Sequence, residues 1–254
     1  MKTRKGYKVY PLTAAQKLHF YYQQYCPKKQ VLNIGSYLAI QVELDFGLLK
    51  ESVYEAYARC DSMRLRFAKD KDGTTYQYVV KKEERDIEFF DFTGWKPEDA
   101  KHQMDLWTEI PFEKYDSPQN RVVMIKLPDG FQGLYIVVDH MTMDAQALIP
   151  FFKDIIEIYS YKKYTDAGLS YPKEMASYIK QLQKDLDYEA GTPAKDRDTK
   201  FFEQLISSSE PIFTDINGPE RLQQEREKEN DPNLRAVTIV SDNVDSNLST
   251  FHLE

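Results

Sequence analysis

Segments of period two alternate along this sequence with segments whose apolar residues recur every three or four positions. Each strand-like run and each amphipathic helix must bury one face, so the alternation calls for a sheet with helices laid on it. In "NIGSYLAIQVEL" (33–44), Ile34, Ser36, Leu38, Ile40 and Val42 alternate with Tyr37, Ala39 and Gln41, the pattern of a strand with one buried face. Asp45 then caps a helix that places Leu49, Val53, Ala56, Tyr57 and Cys60 on one side. Two strands flank the Lys-Asp-Gly turn of "RLRFAKDKDGTTYQYVV", "IEFFDF" supplies another, and Pro97 opens a helix through Trp107. A Pro-Asp-Gly turn joins "RVVMIKL" to "QGLYIVVDH" as a hairpin, and the long helix after it carries Ala147, Phe151, Ile155 and Ile158 along one stripe.

The flanking segments extend the same scheme. Thr13 and Gln16 form a capping box that opens a helix through "AAQKLHFYYQQY", where Phe20, Tyr21, Tyr22 and Tyr25 are expected to pack. Two further helices are expected in "KEMASYIKQLQKDLDYEA" and "AKDRDTKFFEQLIS". Residues 217–234 are polar throughout and read as an exposed linker before a last strand, "LRAVTIVS". The fold class is α/β, a mixed sheet covered by helices.

Composition removes several function classes. The formal charge of -7 over 254 residues, with a pI near 5.3, argues against nucleic acid as a partner, because phosphate binding needs a surplus of Lys and Arg on one face. Cys26 and Cys60 are far apart and lack metal-ligand spacing, which points to a reducing compartment. No apolar run is long enough to cross a bilayer and the N-terminus has no signal-like apolar stretch, so no membrane partner and a cytoplasmic location are expected.

The candidate chemistry lies in "IVVDHMTMDAQAL" (136–148), which runs from an apolar strand through a polar turn into a helix. His140 falls at the strand end, where a neutral imidazole can take a proton from an attacking amine or hydroxyl. Asp144 falls at a helix N-terminus, suited to a fixed contact or to capping free backbone donors. Taken alone, the stretch is also satisfied by a polar strand end followed by an ordinary N-cap. Asp139 is harder to place, since an unpaired carboxylate in an apolar strand is costly unless it points outward at an edge.

The wider pattern resembles the condensation domains of nonribosomal peptide synthetases, within the group that looks like chloramphenicol acetyltransferase. That family's His-His-x-x-x-Asp-Gly motif is matched by Asp139, His140, Asp144 and Ala145. "YPLTAAQ" is similar to its first core motif, "CDSMRLRF" to its His-Glu-x-Leu-Arg-x-x-Phe stretch with Arg64 at the arginine, and "DTKFFEQLI" to a later helix. The resemblance implies that His140 is the active-site histidine, helping an acceptor amine or alcohol attack an acyl thioester carried on the phosphopantetheine of a carrier protein. It implies that Arg64 and Asp144 form a supporting ion pair, that no cofactor is bound directly, and that the partners are a carrier protein and adjacent synthetase domains. It also implies that residues 1–254 form the N-terminal lobe of a two-lobed domain, cut from a longer protein, with the C-terminal lobe absent and no complete active site in the chain alone.

Two positions depart from the family. Asp139 replaces the first histidine, and a carboxylate near His140 favours its protonated form, which is no base. Ala145 replaces the glycine, with a methyl in the path of the thioester arm or strain if a positive φ is needed there. These changes keep open a noncatalytic module that binds carrier proteins or fellow domains, and the same resemblance also admits a free-standing acyltransferase using coenzyme A. His19 and His102 are expected to be packing or surface residues, and no metal is expected.

Overall fold

A computed structural model describes residues 3–82 and 85–208. It divides into two compact units, one of residues up to Gln23 together with Lys29–Leu186, the other of Gln24–Lys28 together with the residues from Asp187 onward. The first unit holds all nine strands of the described residues: β1 (Thr3–Arg4), β2 (Tyr7–Lys8), β3 (Tyr10–Pro11), β4 (Asn33–Ile40), β5 (Leu65–Lys69), β6 (Thr75–Val79), β7 (Glu88–Asp91), β8 (Asn120–Lys126) and β9 (Gln132–Asp139). The helices are α1 (Ala14–Tyr25), α2 (Phe46–Arg59), α3 (Pro97–Glu109), α4 (Ala145–Lys163), α5 (Tyr178–Ala190) and α6 (Pro193–Ser207). Only α6 lies wholly in the second unit; the expected linker and last strand lie outside the described residues.

The main sheet has the order β4-β9-β8-β7, with β7 parallel to β8 and the other pairs antiparallel. All eight residues of β9 are buried, as its nearly continuous apolar run requires. Leu134, Ile136 and Val138 face α2 and α4, meeting Leu49, Val53, Phe151, Ile155 and Ile158. Tyr135 and Val137 face the opposite layer, where Ala100, Met104 and Trp107 of α3 cover the sheet. Each fully buried Leu, Ile or Phe in these layers contributes roughly 1.5–3 kcal/mol of transfer free energy. A second sheet, β3-β6-β5, packs Leu65 and Phe67 with Leu12, Leu32 and Met141.

The helix starts follow local chemistry. Thr13 and Gln16 close a reciprocal capping box on α1, with Gln16 N–H donating to Thr13 Oγ1 (3.2 Å) and Thr13 N–H to Gln16 Oε1 (3.0 Å). Asp45 accepts from Leu48 N–H (3.0 Å) at the head of α2. The helix expected from Lys173 starts instead at Tyr178. Ser177 and Asp61 supply the reason: Ser177 Oγ accepts from Lys180 N–H (3.4 Å), Asp61 Oδ2 accepts from Ile179 N–H (3.4 Å), and Ser177 Oγ donates to Asp61 (3.1 Å). Of the α1 aromatics expected to pack, Phe20 does so against the Leu12, Leu32 and Phe67 cluster, but the expectation is corrected for Tyr21, Tyr22 and Tyr25, which are exposed while Gln16 and Gln23 are buried.

Gly133 of β9 pairs with Ala39 of β4. A Cβ at this position would lie 1.9 Å from the Leu38 carbonyl oxygen and 2.9 Å from Ala39 Cα, both backbone atoms that cannot yield without opening the strand pair. Gly133→Ala is expected to destabilise the chain by about 2–4 kcal/mol, read as a lower urea midpoint at unchanged slope.

Candidate active site

β9 delivers His140 to the end of the main sheet, and the backbone turns there before α4. His140 N–H donates to the Leu32 carbonyl (2.8 Å) and Asp139 N–H to the Gln119 carbonyl (2.9 Å). Thr142 returns both its N–H and its hydroxyl to the Asp139 carbonyl, each at 2.8 Å. A turn tied this way holds the His140 backbone on the sheet rather than on a loose loop.

Asp139 points inward and is 1% exposed. Its Oδ1 accepts from Met141 N–H (2.8 Å), its Oδ2 accepts from Gln23 Nε2 (3.3 Å), and Lys114 Nζ stands 4.0 Å from Oδ2. Lys114 also donates to Gln23 Oε1 and lies over the rings of Phe20 and Phe67 at 5.6 and 5.4 Å. These partners relieve the carboxylate of the desolvation it would otherwise suffer. Burial pulls the Lys114 ammonium below the usual lysine range, and Asp139 works against that pull. None of the hydrogen bonds of the Asp139 carboxylate goes to His140.

The His140 imidazole is half-buried and makes no hydrogen bond among the described residues. Its ring lies against that of His19 on α1, with centroids 4.5 Å apart and planes tilted by 40°. His19, expected to be a packing or surface residue, does pack, and the ring it packs on is that of the motif histidine, which brings it into the site. Burial lowers the His19 pKa from the ordinary histidine value, the neighbouring His140 lowers it further, and Asp139 opposes both. The sequence did carry a signal for it: Gln16, His19 and Gln23 share a polar face of α1 that would have to find hydrogen-bonding company if buried.

The structure does not bring Arg64 and Asp144 together, which corrects the expected ion pair. The Arg64 guanidinium is occupied by the carbonyls of Tyr57 (2.9 Å), Val80 (2.7 Å) and Lys81 (3.1 Å) and by Asp61 Oδ1 (3.0 Å). Asp144 is exposed and accepts from Ala147 N–H (2.7 Å) as the N-cap of α4. The bidentate pair in this region joins Arg59 to Asp154, at 2.8 and 2.9 Å, and locks the end of α2 to α4. Asp154 lies seven residues after Ala147 on the buried stripe of α4, so its position already demanded a cation.

Ala145 is the first residue of α4, and positive φ among non-glycine described residues occurs only at Lys5 and Asp116, so the alanine needs no left-handed backbone. Cys60 packs in the core, and its burial pushes the thiol above its usual range. Among the described residues no three His, Cys, Asp or Glu side chains gather to hold a metal, and no helix is long and apolar enough to cross a membrane.

The family model of the condensation domain matches residues 7–252 of this chain. The chain belongs to the condensation-domain family. Surfactin synthase subunit 1 of Bacillus subtilis (strain 168) is 25% identical to it over 208 residues, which are 78% of this chain and 6% of that protein. A PKS-NRPS hybrid synthetase of Aspergillus fumigatus is 22% identical over 190 residues, 72% of this chain and 5% of that one. Among solved structures, the first condensation domain of the calcium-dependent antibiotic synthetase, in complex with a substrate analogue, superposes with a TM-score of 0.68 at 23% identity. The starter condensation domain of the rhizomide synthetase superposes with a TM-score of 0.69 at 20% identity. The matches cover 81% and 80% of this chain and 49% of each domain, so the chain spans about half the length of the solved condensation domains it matches. The α/β fold is thus that of the condensation domains, which share the chloramphenicol acetyltransferase-like architecture.

Two measurements check the electrostatics of the site. Asp139→Ala leaves the half-buried Lys114 without its carboxylate and Met141 N–H without its acceptor, and is expected to lower stability by about 1–3 kcal/mol, whereas Asp139→Asn, which keeps an acceptor for Met141 N–H, is expected to lower it less. Paired denaturation curves order the two. His19, flanked by His140 and Asp139, binds its proton less readily folded than unfolded. Acidification from about pH 7.5 to about pH 5 should therefore erode stability through the ordinary histidine range until the folded site also protonates. In His19→Phe this component of the loss should be absent.

Proposed function

We propose that this chain is the N-terminal lobe of a condensation-type acyltransferase, in which His140 serves as the base for acyl transfer from a carrier-bound thioester to an amine or alcohol. The observation that carries the reading is the placement of His140: a half-buried imidazole, without a hydrogen-bond partner among the described residues, at the end of a fully buried strand. An imidazole so placed is available to a reacting group.

The acceptor nitrogen or oxygen bonds to the thioester carbonyl carbon, the carbon–sulfur bond breaks, and the phosphopantetheine sulfur leaves. His140 takes the proton that the acceptor loses and returns it to the departing sulfur, so the histidine ends each cycle unchanged. Much of the rate in such a reaction comes from holding donor and acceptor together. On this reading a second lobe supplies the wall that completes the channel. The carrier protein brings the phosphopantetheine-bound donor, adjacent synthetase domains are the other partners, and the reaction takes place in the cytoplasm.

The inward turn of Asp139 supports activity over a degenerate site. Its carboxylate accepts from Met141 N–H and Gln23 and faces the Lys114 ammonium, and makes no hydrogen bond to His140. His140→Ala in the native gene product, supplied with an acyl-loaded carrier protein and an amine acceptor, is expected to reduce product formation by roughly a hundredfold or more, followed by mass spectrometry. Undiminished product would show that His140 is not the base. A native protein that captures the loaded carrier without forming product would favour the interaction-module reading, and transfer from acyl-coenzyme A without a carrier would favour the free-standing acyltransferase.

A further inference from the structure

Helix α1 meets the His140 turn residue by residue. Gln16, His19 and Gln23 stand at i, i+3 and i+7, one face of the helix. Gln23 Nε2 donates to Asp139 Oδ2 (3.3 Å), the His19 ring lies on His140, and Gln16 Nε2 donates to the Met141 carbonyl (3.0 Å). Positions 23, 19 and 16 thus address 139, 140 and 141 in order, the helix running against the direction of the turn.

Both glutamines are buried and tied beyond this contact. Gln16 exchanges hydrogen bonds with Gln77 (2.9 and 2.7 Å), and Gln23 also donates to the Lys29 carbonyl (2.8 Å) and accepts from Lys114. His19 is therefore held between two fixed anchors. The His140 side chain has the opposite character: only its backbone N–H is tied, to Leu32, and no hydrogen bond among the described residues orients its imidazole. Among the described residues, the aromatic ring against it is that of His19.

We propose that His19 is a positioning residue for His140, its ring fixing the rotamer in which the His140 imidazole faces the acceptor. This rests on the acyl-transfer reading for its consequence in turnover, although the effect on the ring does not. Asp139 occupies the motif position beside His140 but directs its carboxylate to Met141, Gln23 and Lys114, so orientation of the imidazole falls to a ring from another element.

Two variants separate ring packing from a general loss of structure. His19→Phe keeps a flat ring and removes the imidazole nitrogens, and His19→Ala removes the ring. In the histidine-labelled chain, NMR couplings and ring-proton Overhauser contacts should show a single His140 side-chain rotamer in the native protein and in His19→Phe, and rotamer averaging in His19→Ala. In the native gene product, His19→Ala should lower kcat roughly ten- to a hundredfold with KM for the acceptor little changed, and His19→Phe should restore most of the loss. A single His140 rotamer in folded His19→Ala, or a His19→Phe variant no better than His19→Ala, would overturn the proposal. Turnover that survives His140→Ala instead defeats the acyl-transfer reading, and the rotamer measurement then judges His19 by itself.

Discussion

Burial of β9 on both faces is the constraint from which the rest of the architecture follows. A strand whose alternate side chains are all apolar has no wet face, so one helical layer must cover Leu134, Ile136 and Val138 and another must cover Tyr135 and Val137. The α2–α4 layer and α3 meet those two demands. Gly133 belongs to the same constraint, since the close pairing of β4 leaves no room for a side chain there. The strand ends at the polar Asp139, next to His140.

A buried charge sits at that point. Asp139 lies deeper than a lone carboxylate should, and it is tolerated because two amides and an ammonium surround it. This arrangement joins four parts of the chain at one carboxylate: β9, the turn after it, α1 through Gln23, and the stretch between α3 and β8 through Lys114. Removing the negative charge from this cluster is not a local event, because the half-buried Lys114 and Gln23 share the same contacts. The position that departs from the family motif has thus become a structural centre of the turn, while the histidine beside it makes no side-chain hydrogen bond among the described residues and has only a ring-to-ring contact with His19.

Much of the fold was legible from period and punctuation. Asp45, the Thr13–Gln16 box, Pro97 and the Pro-Asp-Gly turn each act through neighbours a few residues away, and these local interactions survive translation from sequence to structure. His140 at a strand end and Asp144 at a helix start were legible for the same reason. What failed was the pairing of side chains across elements. "RCDSMR" offers Arg59 and Arg64, and which of them reaches an acid on α4 depends on the rotation of α2 against α4, which no local rule supplies. The inward face of α1 was misread on similar grounds: aromatic residues suggested burial, but the partners waiting on the sheet side were a carbonyl, a carboxylate and an imidazole, which glutamines and a histidine satisfy and tyrosines there do not.

The way α1 is attached has a consequence for how this part of the molecule can drift. Apolar packing resists separation but permits sliding and rolling, whereas hydrogen bonds from Gln16 and Gln23 fix the axial register and the rotation of the helix together. Leu18, Tyr21 and Tyr22 lie on its exposed side and contribute little to that register. The outer surface of α1 is free to be rewritten for new neighbours while the histidine on its inner side keeps its place, so one short helix carries a variable exterior and a fixed interior at the same time.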